Sequence, residues 1–155
     1  MTIKAWRLVK RKHADNPLDG TGARLMGGRW NSVGTSIVYT SSSAALTALE
    51  VLVHLSGTLK LEFRLIELEF DQSLVTTLPR NSYPAHWYQV SPPSPLTQKL
   101  GDRWARQGTS AVLEVKSVHI PLGMTYLLNP GHRDFAQIAV VARYRYSFDR
   151  RLIDP

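Results

Sequence analysis

The spacing of apolar residues along this chain changes several times, and each change marks an element. Ile3 to Val9 reads as a first strand that carries Trp6 and Arg7. A polar, glycine-rich segment follows from His13 to Gly28, with five glycines between Gly20 and Gly34. Ser36 to Thr40 is a short β-rich run. Then the period turns helical. Ser41, Ser42 and Ser43 offer N-caps, and Ala44 to Leu55 is nearly all apolar. At about 100° per residue, Ala45, Leu46, Leu49, Leu52 and Val53 share one wide face. Ala48, Val51 and Leu55 cover much of the rest, so this helix is expected to be buried nearly all round. Glu50 lies inside it.

Leu59 to Phe70 alternates as a long strand, first on Leu59, Leu61, Phe63 and Leu65, then on Ile66, Leu68 and Phe70. That phase change predicts a β-bulge near Leu65 and Ile66. Pro79 to Pro95 holds five prolines with Tyr83, His86, Trp87 and Tyr88, and reads as an ordered surface loop. Ser94-Pro95 opens a second helix, with Leu96, Leu100 and Trp104 one turn apart and Gly108 as its stop. Ser110 to Val115 is a strand, and Tyr126 to His132 is an apolar run that ends in an Asn-Pro-Gly turn. Ile138, Val140, Ala142, Tyr144, Tyr146 and Phe148 alternate along a final strand. Strands dominate and helices are few, so the expected class is α+β in one domain spanning residues 1–155.

Composition adds limits rather than a function. The 155 residues suffice for one buried core. There is no cysteine, which removes disulfides, thiolate metal sites and a Cys nucleophile. No stretch reaches the ~18 apolar residues of a membrane span, and the N-terminal residues lack a secretory h-region. A cytoplasmic location without membrane contact is therefore expected. The net charge of +7 comes from 19 Lys and Arg against 12 Asp and Glu. Its densest clusters are Lys10-Arg11-Lys12 and Arg143, Arg145, Arg150 and Arg151. Such a balance suits a solvated surface, an anionic small ligand or an acidic protein partner.

Several residues could carry chemistry. Gly27-Gly28-Arg29-Trp30-Asn31 places a guanidinium beside paired glycines, where backbone can approach phosphate oxygens. No Gly-Lys-Ser/Thr follows and no helix opens from a GxGxxG, so neither a P-loop nor a Rossmann site is indicated. Glu50 in an apolar helix needs a partner or a cleft. Arg24 or Arg29 can pair with it structurally, or it can serve a reaction. His54 follows it by one turn, yet no further Cys or His pattern points to a metal. His132 and Ser117 look ordinary by pattern, and there is no GxSxG elbow for serine hydrolysis.

Gly20-Thr21-Gly22-Ala23-Arg24-Leu25-Met26-Gly27-Gly28-Arg29-Trp30-Asn31, with Gly34, Val38-Tyr39-Thr40-Ser41 and Ala48-Leu49-Glu50-Val51-Leu52-Val53-His54, closely resembles the RES domain. That family is named for its Arg, Glu and Ser and supplies toxins of RES–Xre toxin–antitoxin pairs. Tyr126 to Phe135 and Phe148 to Leu152 resemble its C-terminal motifs, so the likeness spans nearly the whole chain. It implies a fold like the ADP-ribosyltransferases, with two small, mainly antiparallel sheets around an NAD cleft. It also implies Arg29, Tyr39, Glu50 and Ser117 as catalytic residues, although Lys116 stands where a Pro usually precedes the Ser. Arg7, Arg24, Gly28, Asn31, Asn129 and His132 become candidates for substrate binding, with Arg133 replacing a common Pro after the His.

The implied substrate is NAD⁺, with no separate cofactor and no metal. Its nicotinamide–ribose bond would break with phosphate, water or a protein as acceptor. Phosphorolysis, with inorganic phosphate as co-substrate, is the favoured expectation, and ADP-ribosylation of a cellular protein is the second. A partly buried carboxylate suits this chemistry, because cleaving an N-glycosidic bond builds positive charge on the ribose. The expected partner is an antitoxin with an Xre-type helix-turn-helix domain, and a homodimer within such a complex is left open. A basic nucleic-acid-binding module is the non-enzymatic alternative. It rests on Arg143, Tyr144, Arg145 and Tyr146, of which the tyrosines should face the core. Sequence-specific nucleic-acid binding by the chain alone is not expected.

Overall fold

The computed structural model describes residues 1–55, 61–89 and 92–152. Leu59, at the start of the expected third strand, lies outside them, as do residues 90 and 91 of the proline-rich loop. The strands are β1 (Thr2–Lys10), β2 (Val38–Ser41), β3 (Phe63–Asp71), β4 (Val75–Thr77), β5 (Val112–Lys116), β6 (Met124–Leu128) and β7 (Ala139–Tyr146). The helices are α1 (Thr21–Met26), α2 (Ala44–Leu52) and α3 (Pro95–Gln107). The class is α+β, as the alternating patterns required.

Among the described residues the strands form one sheet in the order β4-β5-β6-β2-β1-β3-β7. β4 runs parallel to β5 and the other neighbours are antiparallel. The two sheets expected from the resemblance are thus joined, but only narrowly. β1 pairs with β3 along its whole length, from Thr2 with Asp71 to Lys10 with Phe63. With β2 it shares one register pair, Trp6 with Ser41. The halves β4-β5-β6-β2 and β1-β3-β7 can therefore diverge on either side of that pair.

Strand alternation sends side chains to two faces, and each face has its own core. Val38, Val112, Tyr126 and Leu128 meet Ala5, Ile66, Leu68 and Phe70 in one cluster. Leu113, Val115 and Leu127 point the other way and pack with Trp30, Ile37 and Trp104. The second cluster seats α3. That helix starts where Ser94 accepts a hydrogen bond from the Leu96 N–H and ends at Gly108 in the left-handed region, φ 60°. Leu96, expected on its inner face, is 54% exposed. The buried stripe is Thr97, Gly101 and Trp104 instead, because the surface beneath it is a backbone turn that small residues fit better.

Three further expectations need correcting. α2 is not buried all round: Leu46 and Thr47 are covered, whereas Ala45 and Val53 are exposed. It lies on β1 and β2, and the described chain covers one side of it. The bulge is on β7 rather than near Leu65-Ile66, since the register shifts between Glu67 and Leu68, which face Ala142 and Val140. Leu65 leaves the core because β3 turns its polar face there, not because it bulges. Tyr144 is 47% exposed, with its hydroxyl donating to Glu67 at 2.7 Å. β7 is an edge strand, so its second face is only partly covered.

Candidate active site

Arg29 is projected by a tight turn. Gly28 and Asn31 form an isolated antiparallel bridge, with the Gly28 N–H donating to Asn31 O at 2.9 Å. Trp30 is driven inward, 2% exposed, and anchors the turn in the second core. Asn31 is fully buried and donates to Ala23 O at 2.8 Å and Thr35 O at 3.0 Å. Tyr39 closes the arrangement. Its hydroxyl donates to Asn31 Oδ1 at 2.6 Å and accepts from the Trp30 N–H at 3.0 Å. A side chain at position 28 would put its Cβ 2.7 Å from that hydroxyl, so glycine is required by close approach.

From the other side α3 braces the same turn. Thr97 Oγ1 donates to Arg29 O at 2.7 Å and Gln98 Nε2 to Gly28 O at 2.9 Å. Asp102 accepts the Ser32 N–H at 3.0 Å and the Ser32 hydroxyl. Arg29 Nη1 in turn donates to Trp87 O at 2.9 Å and Gln89 O at 2.7 Å, tying the turn to the proline-rich loop. Its guanidinium pKa is lowered by burial, against the pull of Tyr39 and Glu50.

Glu50 faces this group from α2. Burial raises its carboxyl pKa, while hydrogen bonds from Ser117 and Thr125 and the charge of Arg29 pull the other way. Ser117 Oγ donates to Oε1 at 3.3 Å and accepts the His119 N–H at 3.1 Å. Ser117 is itself fixed by its N–H to Gly123 O at 2.9 Å. Arg29, Glu50 and Ser117 thus converge from a turn, a helix and a strand end. Of the two arginines considered as partners for Glu50, Arg29 acts on it, while Arg24 is exposed on α1.

The remaining candidates are placed differently. Tyr39 stands beneath Arg29, with its hydroxyl engaged in the turn and its pKa raised far above the usual value by burial. Asn31 uses its amide inside the loop, which makes it a support for Arg29 rather than a group open to a ligand. Arg7 lies where the two half-sheets meet, donating from Nη1 to Tyr39 O at 2.8 Å. Burial pushes its guanidinium down to about 10, with Asp19 opposing. Among the described residues, Arg7 Nε and Ser41 Oγ are buried without a hydrogen-bond partner, on adjacent strands at that junction.

Asn129 and His132 are at the far end of β6 from Thr125. Asn129 donates to Ala105 O at 2.9 Å and accepts the Gly131 N–H at 3.0 Å. His132 Nδ1 accepts the Asp134 N–H at 3.0 Å. Both belong to the turn that the Asn-Pro-Gly signal predicted. A cleft of about 490 Å³ opens there between Ser32, Thr35, Asp102, Arg106, Asn129 and Gly131, away from Glu50. Sequence reasoning missed Thr125 and His119 as neighbours of the site. A lone threonine in the apolar run of β6 was the available signal for the first, and none existed for the second.

A split α+β sheet thus sets a helix-borne carboxylate opposite a braced arginine. The RES domain model matches residues 4–149. A protein of Sphingobium sp. (strain YBL2), "Prs ADP-ribosylating toxin", is 36% identical over 99% of this chain and 98% of its own. "Toxin Res" of Photorhabdus laumondii is 33% identical over 96% of each chain. The crystal structure of the M. tuberculosis MbcT–MbcA toxin–antitoxin complex contains a chain of similar fold, with TM-score 0.66 and 21% identity over 95% of this chain and 85% of that one. The chain belongs to the RES domain family.

Proposed function

We propose that this protein is the toxin of a toxin–antitoxin pair and acts by breaking the nicotinamide–ribose bond of NAD⁺. The observation that carries the reading is the Glu50 carboxyl, held by Ser117 and Thr125 in a partly dry site opposite Arg29. Two full-length relatives bearing the word toxin in their names support the cellular role. The ADP-ribosylating name of one supports the choice of substrate class.

In this reading the C1′–N bond breaks and its electron pair leaves with nicotinamide. Positive charge then develops on the ribose, and the Glu50 carboxylate stabilises it through space. The pyridinium of bound NAD⁺ adds to Arg29 in favouring the ionised form of Glu50. Ser117 fixes the carboxylate oxygen, and Tyr39 and Asn31 fix the turn that aims Arg29 at phosphate oxygens. Arg7 and Ser41, with unpartnered buried atoms at the sheet junction, offer a further seat for a polar part of the substrate. An oxygen of inorganic phosphate then bonds to C1′, giving ADP-ribose 1″-phosphate. A protein side chain in place of phosphate would make the enzyme an ADP-ribosyltransferase.

An antitoxin that covers this site completes the system, and the complex formed by the structural neighbour supports such a partner. We take it to carry an Xre-type helix-turn-helix domain. No helix among the described residues is long and apolar enough to cross a membrane, and action in the cytoplasm fits the substrate. The test is to incubate the purified protein with NAD⁺, with and without phosphate, and weigh the products. A phosphorylated ADP-ribose is expected when phosphate is present. Intact NAD⁺ in both arms would refute the reading.

A further inference from the structure

Tyr83 has no part in the mechanism above, yet it touches both halves of the site. Its hydroxyl stands at the end of β5. There the Leu78 N–H, just past β4, donates to Glu114 O at 2.9 Å. Two residues along β5, the Lys116 N–H donates to the Tyr83 hydroxyl at 2.9 Å. A side-chain oxygen thus accepts where the carbonyl of a neighbouring strand would continue the ladder. The bond exists because position 116 is a lysine, since proline has no N–H to give. The Lys116 ammonium lies 5.4 Å from the centre of the Tyr83 ring and adds a cation–π contact. Ser117 is the next residue, so the hydroxyl pins the strand end that carries it.

The ring reaches the other half. Its centre is 4.8 Å from that of Trp87 and 6.0 Å from that of Trp30, which it meets edge-on at 85°. The two indoles are 6.2 Å apart, so the three rings form one group. The loop backbone is shaped to return Trp87 to this group. The Trp87 N–H donates to Pro84 O at 3.2 Å, and the chain reverses at His86 in the left-handed region, φ 59°. Both indoles hold Arg29. Trp30 anchors the turn that bears it, and Trp87 O accepts from its Nη1 at 2.9 Å. Glu50 meets both halves, through the Ser117 hydroxyl at 3.3 Å and the charge of Arg29.

We propose that Tyr83 is a positioning residue of this site. Its hydroxyl holds Ser117 against Glu50, and its ring holds Trp30 and Trp87 where they aim Arg29. The assignment rests on the NAD⁺ reading for its effect on turnover, but not for its effect on the Glu50 carboxyl. The two ends of the side chain are separable. Loss of the hydroxyl frees the strand end and loosens the bond from Ser117 to Glu50, while the ring stays in place. A hydrogen bond to a carboxylate favours its charged form, so loosening it raises the Glu50 pKa and leaves binding through Arg29 intact. Loss of the ring frees the turn and the loop carbonyl as well, and weakens NAD⁺ binding.

The experiment compares the parent chain with Tyr83→Phe and Tyr83→Leu. NAD⁺ turnover is measured across pH, and the Glu50 carboxyl is titrated by carbon NMR over the same range. In the phenylalanine variant kcat is expected to fall about threefold to tenfold, the loss of one modest hydrogen bond. Its KM for NAD⁺ should stay within about twofold of the parent value, since the ring still holds Arg29. Its Glu50 titration, and the acid limb of its kcat profile, should move upward by about half a pH unit. The leucine variant should in addition raise KM by about tenfold; if it fails to fold, the phenylalanine variant decides alone. A tyrosine that only packs would lower the Tm of the phenylalanine variant while kcat, KM and the Glu50 titration kept their parent values. That result would overturn the proposal. Should the parent consume no NAD⁺, the enzymatic reading falls, and the Glu50 titration still decides the role of Tyr83.

Discussion

Replacing Gly101 by alanine tests whether α3 is the brace on which Arg29 depends. In a helix interior this change ordinarily stabilises by about 1 kcal/mol, because glycine loses more backbone entropy. Here the added Cβ would lie 1.7 Å from Trp30 O and 2.7 Å from Trp30 C. Ordinary contact begins near 3.4 Å, so α3 or the Arg29 turn must move by roughly 1.7 Å. Backbone cannot yield as the end of a flexible side chain can. Overpacking of this kind costs about 3 kcal/mol at the upper end of its usual range. The hydrogen bonds from Thr97 to Arg29 O and from Gln98 to Gly28 O would be stretched with it, adding about 1 kcal/mol. Set against the propensity gain, the net loss is about 3 kcal/mol, or a fall in Tm of about 6–12 °C for a chain of this size. Thermal melting by circular dichroism measures it, and NAD⁺ turnover below the melting range should fall as well, since Arg29 is displaced. A Tm unchanged or raised would refute the close approach of α3 to Trp30 and the bracing role with it.

Further substitutions probe the site from other directions. Arg29→Lys should slow NAD⁺ turnover or weaken binding, because one ammonium cannot reproduce a planar fork with several donors. Kinetics with parent-like values would show that only the charge matters. Tyr39→Phe removes the hydroxyl that joins Asn31 Oδ1 to the Trp30 N–H, and should lower stability by about 1–3 kcal/mol in denaturant titration; no loss would mean the turn holds without it. Glu50→Gln should change stability with a definite pH dependence. Burial raises the Glu50 pKa above its ordinary 4.5, so the folded state binds that proton more tightly than the unfolded chain. The resulting stabilisation is full below the unfolded value and is lost as pH rises through the folded one. The glutamine variant should therefore gain in Tm relative to the parent between pH 4 and pH 8. A relative loss over that interval would contradict a desolvated carboxyl.

Strand periodicity and cap residues made most of the fold legible. Ser43 and Ser94 cap α2 and α3 where expected, and Gly108 ends α3 in the left-handed conformation that only glycine adopts readily. Short elements escaped. α1 contains Gly22 and follows a left-handed Gly20, and β4 has only three residues, so neither could show a period. The burial of α2 was overread because apolar composition says nothing of how many neighbours come to cover it. For the site, Arg29 and Glu50 were visible as a charge beside paired glycines and an acid in an apolar helix. Which arginine meets Glu50 was not, because that depends on the Gly28–Asn31 bridge and the Tyr39 hydroxyl that set the turn bearing Arg29. Nor could sequence spacing place Thr125 or His119 beside Glu50, since Ser117 and Gly123 close that loop through backbone contacts.

The account rests on Glu50 as the group that stabilises charge on the ribose. The most direct measurement is the release of nicotinamide from NAD⁺ by the parent and by Glu50→Gln, in phosphate buffer at pH 7.5, with melting curves to establish that both are folded. Glutamine keeps the shape and the hydrogen bond to Ser117 but carries no charge. The account predicts steady release by the parent and a fall by several powers of ten in the folded variant. Release at comparable rates from both would contradict it.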